Sequence, residues 1–253
     1  MTAVNLKVIT YNIHKGFSFA NRKFVLHQMR EQLQAADVDL VFLQEIQGEH
    51  KRHAAKLTGW PAESQFEFLA DQLWPHYAYG KNALYDAGHH GNAILSKFPF
   101  VQWENINVST LRFASRSLLH GIIDLPGVNR LHAICIHFDL LAHERRRQVN
   151  VLVERIHEHV PDGEPLILAG DFNDWRGQIG RQLQLDLGLV DAFRHLHGKQ
   201  AVSFPAVLPF LPVDRIYYRG LELTECQCLS GSPWGRLSDH LPLTAEFQPG
   251  DVA

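Results

Sequence analysis

Short apolar runs punctuated by Gly, Pro, Asn and Asp recur along the whole chain. Each is four to eight residues long and rich in Val, Ile, Leu or aromatics, the pattern of buried or half-buried strands. Strands are expected at Leu6–Tyr11, Leu40–Gln44, Tyr77–Tyr79, Ala93–Ser96, Val101–Val108, Ser117–Asp124, Leu131–His137, Leu166–Ala169, Asp214–Tyr218, Leu223–Cys228 and Leu243–Phe247. Helical spacing is clearest in three places. Lys23–Gln34 carries Phe24, Val25, Met29 and Leu33; Gln65–Leu73 is shorter; Glu144–His159 aligns Val149, Leu152, Val153 and Ile156. Many strands with a few interspersed helices predict an α/β or α+β sandwich with mixed sheets.

The polar residues with chemical potential fall where these strands end. Asn12 follows "VITY", Glu45 follows "LVFLQ", His137 follows "AICI", Asp171 and Asn173 follow "LILAG", and Asp239 and His240 precede the final strand. Rigid strands deliver such residues to one rim of a layered fold, where sites form. In "GDFND", Gly170 permits close backbone approach, and the i, i+2 spacing puts Asp171 and Asn173 on one side of an extended segment. A carboxylate beside an amide suits a hard cation, a water nucleophile or a phosphate oxygen. A turn-forming Asp-x-Asn is the plain alternative.

Composition narrows the class. The chain has 253 residues, 45% hydrophobic and 20% charged, with a formal net charge of −3. Residues 1–253 are expected to form a single domain, since no linker or repeat divides them. The charge gives no global basic footprint for long nucleic acid, although a local patch suffices for a small site. The three cysteines, with Cys226 and Cys228 only two apart, read as reduced thiols in strands. The N-terminus lacks the pattern of a signal peptide, and no apolar run is long enough to span a bilayer, so a cytoplasmic protein without integral membrane association is expected.

Taken in order, "TYNIHKG" (10–16), "LQE" (43–45), "GNAILSK" (91–97), "IHFD" (136–139), "GDFND" (170–174), "VDRIYY" (213–218) and "SDHLPL" (238–243) resemble the endonuclease/exonuclease/phosphatase superfamily. The resemblance covers nearly the whole chain and is most similar to a bacterial subgroup of poorly defined substrate. It implies a DNase I-like, four-layer sandwich of two mixed sheets flanked by helices. It implies a phosphate-ester hydrolase dependent on Mg²⁺, or Mn²⁺, with Glu45 as principal ligand, Asn12 beside it and Asp239 on or near the ion. His240 would act as base or cationic donor, oriented by Asp214; Asp171 would polarise the attacking water; His137 and Asn173 would donate to phosphate oxygens. Asp171 and His240 both remain open as the base. Against the family's usual pattern, "CIHFD" alters the neighbours of His137, and Arg215 follows Asp214, either near the pocket or outward in solvent.

Further contacts are expected around this centre. His14 and Lys15 touch phosphate or open a polar loop; Arg116 contacts phosphate; Asn92 lines the rim; Trp234 and Arg236 stack on and pair with substrate. His89 and His90 read as exposed loop residues, and "ERRRQ" (144–148) as a solvated face. "SFPAVLPFLPVD" (203–214) is expected to fold inward as core; exposed, residues 205–213 would instead form an apolar rim suited to peripheral membrane contact. The substrate is expected to be a nucleic acid or nucleotide diester, with a phospholipid, sphingomyelin or phosphoinositide headgroup as the alternative, and a noncatalytic binding module as the rival from another class.

Overall fold

A computed structural model of the chain describes residues 5–85, 87–109 and 116–250. Twelve strands build two six-stranded sheets. The first is formed by β1 (Leu6–Asn12), β2 (Leu40–His50), β3 (His76–Tyr85), β4 (Gly88–Ser96), β11 (Leu221–Cys228) and β12 (Leu243–Pro249). The second comprises β5 (Phe100–Asn107), β6 (Ser117–Leu125), β7 (Asn129–His137), β8 (Leu166–Asp171), β9 (Val190–Asp191) and β10 (Asp214–Arg219). The orders are β11-β12-β1-β2-β4-β3 and β5-β6-β7-β8-β10-β9. Each sheet holds one parallel pair, β1 with β2 and β7 with β8, and is otherwise antiparallel. The parallel pairs need crossovers, which α1 (Leu26–Ala36) and α4 (Ala142–His159) supply.

Alternation along the strands sorts apolar side chains into layers. Val8, Leu40, Phe42, Leu119, Ile167, Ile216 and Phe247 meet between the sheets. Ile9, Val41 and Leu95 turn outward onto Leu26, Met29 and Leu33 of α1 and Phe68 of α3 (Gln65–Ala70). Ile134, Ile136 and Leu168 do the same against α4 and α5 (Gln178–Leu187). The result is the expected four-layer sandwich with mixed sheets. Every expected strand is present. Helices α2 (Lys51–Lys56), α5 and α6 (Ala192–His197) were not anticipated, nor was the two-residue β9. All three cysteines lie in strands and are free. No helix among the described residues is long and apolar enough to cross a membrane.

Three departures bear on function. β2 does not stop before Glu45 but runs on to His50. His89 and His90 lie half-buried in β4 rather than in an exposed loop. The segment ahead of β10 does not fold inward: Val207, Leu208 and Phe210 are exposed. Its backbone closes on itself, Leu208 N donating to Pro205 O and Phe210 N to Phe204 O, and of its apolar side chains only Ala206 and Val213 are buried.

Candidate active site

Strand register builds one wall of the site. His137 is level with Asp171 across the parallel β7–β8 pair, and Asp171 is level with Asp214 across the antiparallel β8–β10 pair. Three chemically active side chains thus stand in one row on adjacent strands. Gly170 keeps the row tight. A Cβ there would sit 2.0 Å from Ile136 O, and its φ of +147° suits glycine.

The facing sheet supplies the other wall. Asn12 ends β1 level with Gln44 of β2. Between Leu43 and Ile46 the β2–β4 register slips: Gln44 and Glu45 together oppose Asn92. This bulge holds Glu45 at φ +55°. Bulges of this kind re-aim a side chain out of the pleat. His14, Lys15 and Asn173 also have positive φ, at 45°, 58° and 50°. Four of the eight positive-φ residues other than glycine among the described residues thus lie at this rim, the kind of backbone strain found at many functional sites.

His240 joins the two walls. Its Nδ1 donates to Asp214 Oδ2 at 2.8 Å, an oxygen that also accepts from Ser203 Oγ at 2.6 Å. Its Nε2 lies 3.8 Å from Asp171 Oδ2. Ser238, the expected turn residue, donates Oγ to Asn12 O and accepts from His240 N, pinning the approach to β12 against the end of β1. Asp171 is buried among donors: Asn173 N at 3.0 Å, Asn12 Nδ2 at 3.2 Å and His137 Nε2 at 3.5 Å. Asn173 Nδ2 is spent on Phe138 O, which tethers the loop after β8.

Burial opposes charge on His240, yet the charge and hydrogen bond of Asp214, with Asp171 and Asp239 behind, raise its pKa to about 10. Burial pushes Asp171 up to about 7; His240 opposes that rise and Asp214 adds to it. His137 lies well below 6.5, first through burial and then through Arg116. Burial would also raise Glu45, but His137, Lys15, His14 and His90 hold it at about 2. Because burial keeps His137 neutral, the cation on Glu45 at neutral pH is Lys15, with Nζ 3.4 Å from Oε2.

Asn12, Glu45, Arg116, His137, Asp171, Asn173 and His240 line one cavity of about 220 Å³, walled by Leu140, Trp175, Phe204 and Leu211. Arg116 is half-buried, and its Nε–H donates to no acceptor among the described residues. Other expected contacts lie elsewhere. Asn92 is fully buried and donates to Ser117 O, so it supports the floor instead of lining the rim. Trp234 packs edge-on against Tyr11, 5.8 Å between centroids, on the helix side of the first sheet. Arg236 is exposed in the same short turn, outside the cavity lining. His14 faces Asp239, Nδ1 to Oδ1 3.7 Å, beside the cavity.

Arg215, left open between the pocket and solvent, and Arg145, expected on a solvated face, are both buried. Arg215 does alternate outward from Asp214, but it is 2% exposed and bound to Asp174 instead of water. Arg145 of "ERRRQ" is buried, donates to Asp139 O and Leu140 O, and lies 5.2 Å from the Trp175 ring centroid. Ser203 was missed altogether. Its signal, a hydroxyl eleven residues ahead of Asp214, has no motif; only the loop's return onto Leu211 brings it there.

An α/β sandwich with a His–carboxylate pair and a second buried carboxylate at one end of its sheets is the arrangement of a phosphoester hydrolase. Residues 9–240 match the Endonuclease/Exonuclease/phosphatase family, and the chain belongs to it. Its members are phosphoester hydrolases that typically depend on a divalent metal. The chain is 42% identical to YbhP of Escherichia coli K12 over 244 residues, 96% of each chain. In fold it resembles an endonuclease/exonuclease/phosphatase from Beutenbergia cavernae, with a TM-score of 0.76 at 19% identity over 98% of this chain and 72% of that one. It also resembles D. rerio TDP2 complexed with a single-strand DNA product, with a TM-score of 0.72 at 21% identity over 96% and 98%.

The donor chemistry fits a hard divalent cation. Glu45 Oε2 is buried and accepts no hydrogen bond among the described residues, the condition of an oxygen built for a ligand. Asn12 ends the adjacent strand, its Oδ1 accepting from His14 N, and Asp239 faces His14 from the approach to β12; carboxylate and amide oxygens of this kind suit Mg²⁺ or Mn²⁺. Asp171, Asp214 and His240 also place one donor atom each within 4.8 Å of one another. There, however, the Asp214–His240 hydrogen bond already uses the facing atoms, so the trio reads better as proton-handling groups.

Proposed function

We propose that this protein hydrolyses phosphate diesters with the help of a divalent cation held by Glu45, Asn12 and Asp239. The observation that carries the reading is the row His137–Asp171–Asp214 closed by His240, with Nδ1 fixed on Asp214 and Nε2 turned to Asp171. When bound, the cation neutralises charge on the phosphoryl and leaving oxygens.

Asp171 is the base. Raised by burial to about 7 and held by Asn173 N and Asn12 Nδ2, it lines the cavity, where in its ionised form it takes the proton of a water placed between it and phosphorus. His240 serves as donor, since its Nδ1 is committed to Asp214 and only Nε2–H faces the cavity. With His137 and the Arg116 guanidinium it places N–H groups where the equatorial oxygens gain charge. Asn173 positions the loop through Phe138 O and presents its remaining amide hydrogen. Leu140, Trp175, Phe204 and Leu211 give the cavity apolar lining beside its polar groups, which suits the ester substituents of a diester.

The test is turnover of bis-p-nitrophenyl phosphate with Mg²⁺ or Mn²⁺, stopped by EDTA. Asp171→Asn and His240→Gln should each lose about 10²–10⁴-fold in kcat while folding normally. Equal rates with and without EDTA, or a fully active His240→Gln, would end this assignment. A noncatalytic module would show no turnover on any phosphoester.

A further inference from the structure

The mouth of the cavity is greasy as well as polar. Three loops that carry site residues also carry six large exposed apolar side chains. Leu140 and Leu141 follow His137, Trp175 follows Asn173, and Val207, Leu208 and Phe210 precede Asp214, with exposures of 40–74%. Leu140, Trp175 and Leu211 reach into the cavity wall, so these tips stand around its entrance. A soluble surface rarely gathers such residues without a partner.

The charges around them share one sign. In residues 138–147, 171–178, 199–213 and 229–237, every exposed ionisable side chain other than histidine is cationic: Arg146, Arg147, Arg176, Lys199 and Arg236. The carboxylates of these segments, Asp139, Glu144, Asp171 and Asp174, are all buried. These segments are thus locally basic on a chain whose net charge is −3. The segments are physically joined: Ala206 N donates to Asp239 O, and Arg145 binds Leu140 O while lying against Trp175. Behind the 202–209 segment, Phe193, Val202, Pro209 and Leu241 line an open, mostly apolar cavity of about 510 Å³.

Aliphatic tips ringed by arginine are what an anionic lipid surface selects. The apolar groups enter the acyl boundary while the cations meet headgroup phosphates. Single-stranded nucleic acid would instead ask for aromatic platforms along a basic groove. Four of the six tips are aliphatic and cannot stack on bases.

We propose that the Leu140/Trp175/Leu208/Phe210 rim docks the protein on an anionic membrane surface, presenting phospholipid headgroups to the cavity. The substrate class rests on the phosphodiesterase reading above; the docking does not. The full chain should co-sediment with vesicles of phosphatidylcholine plus phosphatidylglycerol, and weakly or not at all with phosphatidylcholine alone. Leu208→Asp/Phe210→Asp should weaken that partition roughly a hundredfold. Arg146→Gln and Arg176→Gln should each weaken it about fivefold. None of these should change turnover of soluble bis-p-nitrophenyl phosphate, which also reports that they fold.

Asp171→Asn should bind vesicles as wild type does, so failure of the catalytic reading and failure of docking are read separately. Absence of binding to anionic vesicles, or equal binding by the Leu208/Phe210 variant, overturns the proposal. So does a wild-type dimer in light scattering that the same variant dissociates, or tight single-stranded DNA binding that the variant abolishes while vesicles are ignored.

Discussion

Arg215 and Asp174 form a buried ion pair, Nη1 to Oδ2 3.4 Å, that locks together two loops of the cavity. The same guanidinium donates to Asp174 O, Pro212 O and Gln200 Oε1, and so grips the loop after β8 and the segment before β10 at once. Asp174 Oδ2 also accepts from Ile179 N at the start of α5. Breaking one side of such a pair leaves an unpaired buried charge. Arg215→Met should therefore cost about 3–5 kcal/mol of stability, and pairing it with Asp174→Leu should recover part of that loss. Arg215→Lys should fold but loosen Asn173 and Trp175, raising KM more than it lowers kcat. Urea melts and steady-state kinetics on the three variants decide this; an Arg215→Met protein as stable as wild type would refute it.

Glu45 owes its aim to the bulge in β2, and its buried Oε2 accepts no hydrogen bond among the described residues and has only the Lys15 ammonium 3.4 Å away. If that oxygen exists for a cation, binding adds stability by mass action. Addition of Mn²⁺ or Mg²⁺ should raise the melting temperature of wild type by several degrees. In Glu45→Gln the rise should vanish, with the metal-free melting temperature little changed. A metal-induced rise that persists in Glu45→Gln would move the cation elsewhere, to Asp171, Asp214 and His240 first.

Much of this was readable in the sequence, and for identifiable reasons. Runs such as Leu166–Ala169 and Leu131–His137 are buried on both faces, so their apolar continuity betrays them as strands. The site motifs were legible because each closes an apolar strand run and because they follow one another in the family's order; register then carries His137, Asp171 and Asp214 into one row. What escaped depends on direction and distance. Asn92 and Trp234 sit beside the right motifs but face a strand backbone and Tyr11 respectively. Helix α5 has Ile179, Leu183 and Leu187 at helical spacing, yet Gly177, Gly180 and Gly188 read as loop. The Arg215–Asp174 pair and the outward tips of residues 207–210 follow from loop closures between segments far apart in sequence.

Ser203 and Asp214 set the orientation of His240. Ser203 Oγ gives Asp214 Oδ2 a second hydrogen bond, fixing the carboxylate that fixes the imidazole. Ser203→Ala should lower kcat by about three- to tenfold with KM unchanged, because a positioning bond is lost and no substrate contact is. Asp214→Asn should cost about 10²-fold or more, since an amide cannot hold the charged imidazole. Kinetics on the soluble diester separate the two; a Ser203→Ala effect confined to KM would place the hydroxyl on substrate instead.

His120 and His132 make the fold acid-labile. The chain of bonds runs from Arg155 Nε to His120 Nδ1, from His120 Nε2 to His132 Nδ1, and from His132 Nε2 to Glu164 Oε2. Arg155 can only donate and Glu164 accepts, so both imidazoles are satisfied when neutral and neither has an acceptor for an added proton. Burial, then His132, lowers the pKa of His120 to about 3, and burial lowers that of His132 as well. Unfolded, both titrate near 6.5. Between those values the unfolded chain binds more protons, so stability is complete above about pH 6.5 and falls as pH drops toward 3. At pH 5 His120 alone should cost about 2 kcal/mol. His120→Gln/His132→Gln removes both titrating groups. Urea denaturation of wild type and this variant at pH 7.5 and pH 5 gives the comparison: the variant should lose less stability on acidification than wild type, and parallel losses would show that the acid sensitivity lies elsewhere.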